Sequence, residues 1–350
     1  MKAAVLESNK KITIKDVKIP NIKQDECLIK IKFAGICSSD IQRGFSNGAY
    51  FYPLIMGHEI SGIVEKIGKK VKDFKKGDQV GVFPLLPCKR CKQCKKEQFA
   101  RCSSYKYYGS RNNGGFAEFL AVKRWNLIKN KNLSLFQLSV LEPFSVCLHA
   151  IKLLNLNKKN KKKICIIGAG YLGLIISEIL SKTYNSNYVY QIDRNKFKLS
   201  HSRSHNKKNF LIKTHNDFLK FEKKNKFDIV IEATGNYDMI SKSIDLVSEG
   251  GQCMWMGNIN QDLNLSQKKV STILRKEISI LGSWNSNFRT TKISDDWNES
   301  INIISKYKID IEKLITKFIK LSSLRDIMSK MYSHKNRRKN FQYIKFIVKF

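Results

Sequence analysis

The sequence of 350 residues predicts an α/β protein with two domains, a β-rich domain and a doubly wound parallel sheet. Three observations support this fold class. Short apolar runs separated by turn residues fill the first half, whereas strand-like runs alternate with helix-like segments in the second. A glycine-rich turn at 168–173 joins the first strand of the second half to a helix. Because 42% of the residues are hydrophobic, the chain can bury two cores.

The first half has the pattern of short β-strands. Strands are predicted at 26–33 and 60–67, each bounded by Gly, Asp or Lys. A third strand, 80–83, follows the turn signal Gly77-Asp78. These short strands with frequent turns are typical of a β-rich domain.

The second half alternates between strand and helix, which indicates a parallel sheet. A helix is predicted at 172–180, and Gly250-Gly251 precedes one of the strands. From about residue 287 the pattern returns to mixed helix and ends in a strand. The strands predicted in this half are 164–167, 188–192, 227–232, 253–256, 278–281 and 343–349.

The chain is strongly basic, with 65 Lys and Arg against 29 Asp and Glu and a formal charge of +36. Such a charge can attract nucleic acid, so a basic nucleic-acid-binding protein is one alternative. The lysines are dispersed, however, and the densest run, 158–163, lacks interleaved aromatic residues. No nucleic-acid-binding module is recognisable, so we expect no nucleic-acid partner. The charge could instead attract an anionic substrate.

The first residues show no signal peptide, since no apolar run of useful length follows Lys2. The longest apolar stretch, 164–180, contains Glu178 and three glycines, so it is interpreted as a strand and helix rather than a membrane span. We therefore expect a cytoplasmic protein without a membrane partner. Nine cysteines in such a chain favour thiols and metal over disulfides.

Four cysteines occur within fifteen residues, at Cys88, Cys91, Cys94 and Cys102. Four thiolates complete the tetrahedral coordination of Zn²⁺ and leave no open position, which predicts a structural zinc site. Free or redox-active cysteines and an iron–sulfur cluster are the alternatives.

A second set of possible zinc ligands comprises Cys37, His58, Glu59 and Glu142. Catalytic zinc is held by three protein ligands and keeps one position for water or substrate. Each of these residues is weak evidence alone, because a single Cys or His is usually packed or solvated. Their combination with the four-cysteine loop predicts a catalytic zinc site.

The glycine-rich turn contains Gly168, Gly170, Leu172 and Gly173 between a strand and a helix, as in dinucleotide-binding sheets of the Rossmann type. The helix N-terminus can bind the pyrophosphate. Asp193, at the end of the next strand, can bind the ribose hydroxyls, which favours NAD over NADP. The adjacent Arg194 leaves NADP open, since it could pair with a 2′-phosphate or stack on adenine.

Taken together, these motifs resemble zinc-dependent medium-chain dehydrogenases/reductases over essentially the whole chain. The resemblance is carried by the motif 57–68, by Gly77-Asp78, by Glu142-Pro143, by the four-cysteine loop and by the glycine-rich turn. It implies a GroES-like catalytic domain at 1–149 with the structural zinc loop at 84–103, a Rossmann domain at 150–285, and a return to the catalytic domain at 286–350. It also implies two zinc ions per subunit and a homo-oligomer, either a dimer or a tetramer.

The resemblance assigns roles to the site residues. Cys37 and His58 would be direct zinc ligands, with Glu142 favoured over Glu59 as the third ligand at rest. Ser39 would take up the hydroxyl proton, since a relay histidine of some relatives is replaced by Gln42 here. Ser39 could also be an ordinary turn hydroxyl, and Glu59 could orient the site without binding metal.

Further segments, 45–53, 84–88, 109–118 and 274–284, resemble polyol phosphate dehydrogenases of this family. The expected reaction is the oxidation of galactitol 1-phosphate to tagatose 6-phosphate, and sorbitol, threonine and other zinc alcohol dehydrogenases are alternatives. Candidates for binding the substrate phosphate are cationic, and two aromatic residues could line the pocket. These candidates are Arg43, Arg111, Lys276, Arg289, Tyr50 and Trp284.

Overall fold

The computed structural model describes residues 1–46, 48–157, 161–184, 188–202, 207–259, 261–335 and 341–350. Residues 158–160 of the lysine run therefore lie outside the described residues. The chain divides into two compact units. The first unit comprises Met1–Pro143, Asn287–Ser305 and Ile315–Phe350, and the second comprises Phe144–Ser286 and Lys306–Leu314. No helix in the described ranges has an apolar stretch long enough to cross a bilayer.

The strands of the described residues, in chain order, are β1 Lys2–Ser8, β2 Lys11–Asp16, β3 Glu26–Gly35, β4 Leu54–Ile55, β5 Glu59–Ile67, β6 Gln79–Val82, β7 Leu85–Leu86, β8 Lys106–Tyr107, β9 Phe119–Lys123, β10 Leu127–Lys129, β11 Lys163–Ile167, β12 Tyr188–Asp193, β13 Lys207–Leu211, β14 Phe227–Glu232, β15 Val247–Trp255, β16 Ser279–Gly282, β17 Lys317–Ile319 and β18 Phe346–Lys349.

The α-helices are α1 Ser38–Phe45, α2 Lys92–Lys95, α3 Leu135–Ser139, α4 Leu141–Leu153, α5 Tyr171–Thr183, α6 Lys196–Leu199, α7 His215–Lys224, α8 Tyr237–Asp245, α9 Gln267–Arg275, α10 Asp296–Lys306 and α11 Leu324–Lys335. Short 3₁₀ segments occupy Phe99–Arg101, Arg124–Asn126, Ile311–Leu314 and Leu321–Ser323.

The first unit contains a large sheet in the order β10-β6-β5-β3-β18-β17, with β9 also paired to β3. Its centre is the antiparallel pair β3 and β5, in which Gly35 lies opposite Glu59. On its other edge β3 pairs with β18, where Ile347 lies opposite Gly35. This register brings the end of β3, the start of β5 and the start of β18 together. A smaller sheet, β2-β1-β4, packs into the same apolar core.

The second unit contains a six-stranded parallel sheet in the order β13-β12-β11-β14-β15-β16. Numbered from its first strand, the order is 3-2-1-4-5-6, the arrangement of dinucleotide-binding Rossmann sheets. The fold class predicted from the sequence is therefore confirmed. Core residues such as Ile164, Ile166 and Val230 are almost completely buried.

Two local predictions in the second unit were incomplete. β13 was not predicted, because its segment Lys207–Leu211 is an edge strand with little burial and no apolar run. β15 begins earlier than the predicted strand 253–256, since Gly250 and Gly251 both lie inside it. Gly250 adopts a positive φ of 65°, and the pairing of β14 with β15 shifts register nearby. The glycines therefore accommodate an irregularity within a strand instead of ending it.

Candidate active site

Three predicted zinc ligands lie together where the central strands of the first unit meet. Cys37 follows the end of β3, and His58 and Glu59 stand at the start of β5. Since Gly35 pairs with Glu59 across the two strands, the register places these side chains side by side. One ligand atom from each of Cys37, His58 and Glu59 lies within 4.8 Å of the others. His58 and Glu59 are buried, whereas Cys37 is partly accessible.

His58 lies beside Asp40, a fully buried carboxylate near the start of α1. Nδ1 of His58 lies 3.5 Å from Oδ1 of Asp40, while the backbone N–H of Cys37 donates to Oδ2 of Asp40 at 3.0 Å. Burial alone would lower the pKa of His58, but the negative charges of Asp40 and Cys37 raise it well above its usual value. An environment that attracts a proton so strongly also favours a metal cation.

Glu59 forms a buried ion pair with Lys345, whose Nζ donates to Oε1 at 2.5 Å. The two side chains are only 1% and 5% exposed, respectively. The other carboxylate oxygen, Oε2, is buried without a hydrogen-bond partner among the described residues. A buried carboxylate oxygen without a donor is unfavourable in an apolar environment, so Oε2 is suited to a cation.

Glu142 stands in the first turn of α4 and accepts a hydrogen bond from the Tyr107 hydroxyl at 3.1 Å. Its side chain is outside the group of ligand atoms formed by Cys37, His58 and Glu59. Burial raises the pKa of Glu142 to about 7, with a smaller opposing effect from His58. The Tyr107 ring also packs edge-on against His58, with centroids 5.7 Å apart. Glu142 is therefore electrostatically coupled to the site.

These residues fit a zinc ion. A thiol, an imidazole and a carboxylate are ligand types that zinc accepts, and three protein ligands match a catalytic site with one open position. The partnerless Oε2 of Glu59 and the strong attraction of the site for positive charge support the same assignment. The structure thus groups Glu59 with Cys37 and His58, whereas the sequence analysis favours Glu142 as the third ligand at rest. Which carboxylate binds the metal stays a prediction.

The four-cysteine loop brings its thiols together as predicted. One sulfur atom from each of Cys88, Cys91, Cys94 and Cys102 lies within 4.8 Å of the others, and all four are free thiols. A hydrogen bond from the Cys94 backbone lowers the pKa of Cys91 to about 6, whereas burial raises the pKa of Cys94. A bound cation would favour all four thiolates at once, so the geometry fits a closed, structural zinc site.

The loop is also fixed at a second point. Glu97 accepts hydrogen bonds from the hydroxyl of Thr291, at 2.8 Å, and from the backbone N–H groups of Thr291 and Lys292. Lys292 in turn donates to the carbonyl of Lys95 at 3.1 Å. The loop is thus tied to a segment almost 200 residues further along the chain.

The predicted dinucleotide turn in the second unit has the expected geometry. Gly168 adopts a φ of 107°, which a residue with a side chain rarely adopts. A Cβ at Gly173 would lie 2.0 Å from the carbonyl oxygen of Gly168, so only glycine allows α5 to approach the turn. A Cβ at Gly170 would meet nothing within 4 Å, which leaves space above the N-terminus of α5 for a phosphate.

Asp193 lies beside this turn, at the end of β12, and accepts a hydrogen bond from the backbone of Ala169 at 2.7 Å. Its carboxylate therefore stands where the ribose of a bound dinucleotide is expected. Arg194 is exposed, and Leu172 is partly buried in the first turn of α5. The residues fit a nicotinamide dinucleotide, although the roles of the individual side chains stay predictions.

The candidate phosphate ligands differ in their environments. Arg43 is paired with Asp40 at 3.3 Å, and Arg289 donates to the carbonyl of Leu127 at 2.8 Å. Lys276 pairs with Glu249 at 3.0 Å. Arg111 lies over the rings of two tyrosines, Tyr50 and Tyr105. Tyr50 and Trp284 are 67% and 53% exposed, so neither is a core residue.

Three residues of the site were not identified from the sequence. Asp40 could have been found, since it is an acidic residue three positions after Cys37 and lies in the first turn of α1. Lys345 stands among apolar residues directly before the last strand, which is an unusual position for a lysine. Tyr107 carried no local signal, because its role depends on the distant Glu142.

Comparisons with known proteins agree with this architecture. Residues 23–132 match the alcohol dehydrogenase GroES-like domain, and residues 172–306 match the zinc-binding dehydrogenase domain. The chain is 32% identical to galactitol 1-phosphate 5-dehydrogenase of Escherichia coli K12, over 90% of this chain and 92% of the relative.

Solved structures give the same result. The crystal structure of galactitol-1-phosphate dehydrogenase from Escherichia coli matches with a TM-score of 0.87 and 29% identity, covering 100% of both chains. An Escherichia coli CFT073 alcohol dehydrogenase complexed with the cofactor NADH matches with a TM-score of 0.86 and 25% identity, covering 100% of this chain and 99% of that one. The chain therefore belongs to the zinc-dependent medium-chain alcohol dehydrogenase family, whose members are oxidoreductases that use zinc and a nicotinamide dinucleotide.

Proposed function

We propose that this dehydrogenase oxidises a secondary alcohol of a polyol phosphate with NAD, and that its substrate is galactitol 1-phosphate. The observation that carries the chemistry is the convergence of Cys37, His58 and Glu59 within 4.8 Å. The substrate rests on the similarity to galactitol 1-phosphate 5-dehydrogenase, which extends over 90% of the chain. The expected product is the keto-sugar phosphate, tagatose 6-phosphate.

When bound, zinc would act as a Lewis acid that lowers the pKa of the substrate hydroxyl, and NAD would accept the hydride. Cys37 and His58 would hold the metal, with Glu59 or Glu142 as the third ligand. Asp40 lies beside the His58 ring. Lys345 balances the charge of Glu59, and Tyr107 fixes Glu142. Oxidation also releases the hydroxyl proton, which the protein must remove.

We assign proton removal to Ser39, the second residue of α1 and two positions from Cys37. Its hydroxyl would accept the proton from the substrate and pass it to water or to the ribose. Ser39→Ala should depress kcat strongly and leave zinc content unchanged. Ser38→Ala is the matched control, because Ser38 is the exposed neighbour on the same helix. Equal turnover of the two variants would reject the relay role of Ser39.

The choice of NAD rests on Asp193, whose carboxylate lies beside the glycine turn and would repel a 2′-phosphate. The substrate proposal is tested by following NAD reduction with galactitol 1-phosphate, galactitol, sorbitol and threonine, with and without a chelator. We expect the highest kcat/KM with galactitol 1-phosphate and loss of activity after metal removal. A higher kcat/KM with sorbitol or threonine would contradict the assignment of galactitol 1-phosphate as the substrate. Activity that resists the chelator would contradict the zinc mechanism.

The family resemblance also supports a homo-oligomer, either a dimer or a tetramer, which sedimentation equilibrium would measure. The domain boundaries given from the sequence and a cytoplasmic location are proposals of the same kind.

A further inference from the structure

We propose that Arg111, held by Tyr50 and Tyr105, binds the phosphate group of the substrate. We call these three residues the Arg111 cradle. The guanidinium carbon of Arg111 lies 4.1 Å from the ring centroid of Tyr50 and 4.3 Å from that of Tyr105. This inference rests on the proposed function, because it names the group that selects a phosphorylated polyol.

Within the part of the chain that the structure describes, the positive charge of Arg111 is not neutralised. Among the described residues, the contacts of its guanidinium are the two rings and the hydroxyl of Tyr50, and no carboxylate pairs with it. Arg43, the other arginine suggested for this role, is already paired with the buried Asp40. Stacking on aromatic rings positions a guanidinium without occupying all of its N–H donors. Arg111 is therefore held in place and can still bind an anion.

The cradle offers several donors to one anion. Nη2 of Arg111 donates to the Tyr50 hydroxyl at 3.0 Å, so that oxygen acts as an acceptor and its own proton can point elsewhere. A guanidinium has five N–H donors, of which this bond uses one. The remaining donors suit the oxygens of a phosphate monoester, which accepts several charge-assisted hydrogen bonds at once.

The cradle is built on the same loop as a residue of the metal site. The backbone N–H of Arg111 donates to the carbonyl of Tyr107 at 3.0 Å, and Tyr107 contacts both Glu142 and His58. The Tyr105 ring, on which Arg111 stacks, packs edge-on against the Tyr107 ring with centroids 6.4 Å apart. Arg111 is thus linked to His58 through the rings of Tyr105 and Tyr107.

Hydrogen bonds fix this loop to the segment that leads into His58. The backbone N–H groups of Gly114, Gly115 and Phe116 donate to the carbonyls of 55–57 at 2.7–2.9 Å. The backbone that follows Arg111 is therefore held at a fixed spacing from the segment that precedes His58. Such a fixed spacing allows one end of an extended polyol to be anchored while a carbon nearer the other end reacts.

The test compares Arg111→Gln with Arg325→Gln, which removes the same charge from an exposed position on α11. We expect Arg111→Gln to raise KM for galactitol 1-phosphate about 10- to 100-fold, with a much smaller change in kcat, because several charge-assisted hydrogen bonds are lost. Arg325→Gln should change KM less than about twofold, since screened surface charges contribute little. Arg325→Gln should leave kcat/KM for galactitol unchanged, whereas Arg111→Gln should lower kcat/KM far more for galactitol 1-phosphate than for galactitol.

Further variants keep the result interpretable. Arg111→Lys retains the charge without the planar donors and should raise KM by an intermediate amount, and Tyr50→Phe should raise it about 3- to 10-fold. Competitive inhibition by inorganic phosphate should weaken in parallel with KM. Zinc content and the unfolding midpoint of each variant, matching those of the wild type, show that the fold is retained.

The outcomes separate the inference from the proposed function. If the wild type oxidises galactitol 1-phosphate but Arg111→Gln and Arg325→Gln have the same KM, the cradle is not the phosphate site and the proposed function stands. Galactonate carries a carboxylate in place of the phosphate. If Arg111→Gln raises KM for galactonate as much as it raises KM for galactitol 1-phosphate, the assignment of Arg111 to a phosphate is wrong. If the wild type oxidises no polyol or polyol phosphate, the proposed function fails and the inference falls with it.

Discussion

The buried pair of Lys345 and Glu59 offers the sharpest test of how this site is built. Lys345→Met keeps the length and the apolar stem of the side chain but removes its charge. Glu59 would then lose the donor to Oε1, while Oε2 already has no hydrogen-bond partner within the described residues. A carboxylate that is 1% exposed would be left without a hydrogen-bond donor among the described residues.

The expected effect on stability is large. Removing one partner of a buried ion pair costs about 3–5 kcal/mol, because the other charge stays buried and unpaired. In a unit of roughly 200 residues, each kcal/mol lowers Tm by about 2–4 °C. The chelator-treated variant should therefore unfold at least about 6 °C below the wild type. The loss should be smaller in the zinc-loaded protein, because the metal supplies positive charge near Glu59.

Scanning calorimetry of the zinc-loaded and chelator-treated proteins measures both effects. Lys349→Met is the matched control, since Lys349 is exposed on the adjacent strand β18, and it should leave Tm unchanged. The double variant Lys345→Met, Glu59→Gln removes both charges and should regain part of the lost stability. Equal Tm values for Lys345→Met and Lys349→Met in the chelated protein would refute the assignment of an uncompensated buried carboxylate.

Three other substitutions test the zinc loop and the cofactor site. Cys91→Ser should reduce the zinc content from two ions to one per subunit and lower the unfolding midpoint. Metal analysis and calorimetry measure these two effects. Retention of both ions would contradict a structural zinc at this loop. Gly173→Ala should weaken NAD binding at least about tenfold in a fluorescence titration. The reason is that the new methyl group would stand 2.0 Å from the Gly168 carbonyl oxygen. An unchanged Kd for NAD would reject this packing. Asp193→Asn should raise KM for NAD and lower KM for NADP, whereas an unchanged ratio of the two would remove Asp193 from cofactor selection.

The sequence could predict most of the site because its signals are local. Cys37, the His58-Glu59 pair, the four-cysteine loop and the glycine turn each occur in short segments whose spacing has a chemical reason. Strands with alternating or continuous apolar residues, such as β14, were equally visible. Local pattern failed at β13, whose residues are mostly accessible, and at Gly250, where a positive φ marks a bulge inside β15 rather than its start.

The pairing of Glu59 with Lys345 joins residues 286 positions apart. No local pattern encodes such a pair, because it depends on β3 pairing with both β5 and β18 at Gly35. The same is true of Tyr107 and Glu142, which meet only when the loop after the four cysteines returns to the sheet. Sequence therefore identified the candidate ligands, whereas strand register determines which groups position and neutralise them.

The groups that strand register brings to the site determine its charge balance, and the charge balance affects metal binding. Four groups able to carry negative charge, Cys37, Asp40, Glu59 and Glu142, lie near His58. Among the described residues, Arg43 pairs with Asp40 and Lys345 pairs with Glu59. Burial opposes the ionisation of Glu142 and raises its pKa, so the positive charge near this carboxyl is too small to stabilise its anion fully. A divalent cation would relieve this deficit better than further protons, because it binds the thiolate, the imidazole and a carboxylate at the same time. Lys345 and Arg43 therefore set how negative the site remains. If more cationic side chains neutralised the site, it would lose affinity for the metal on which the proposed oxidation depends.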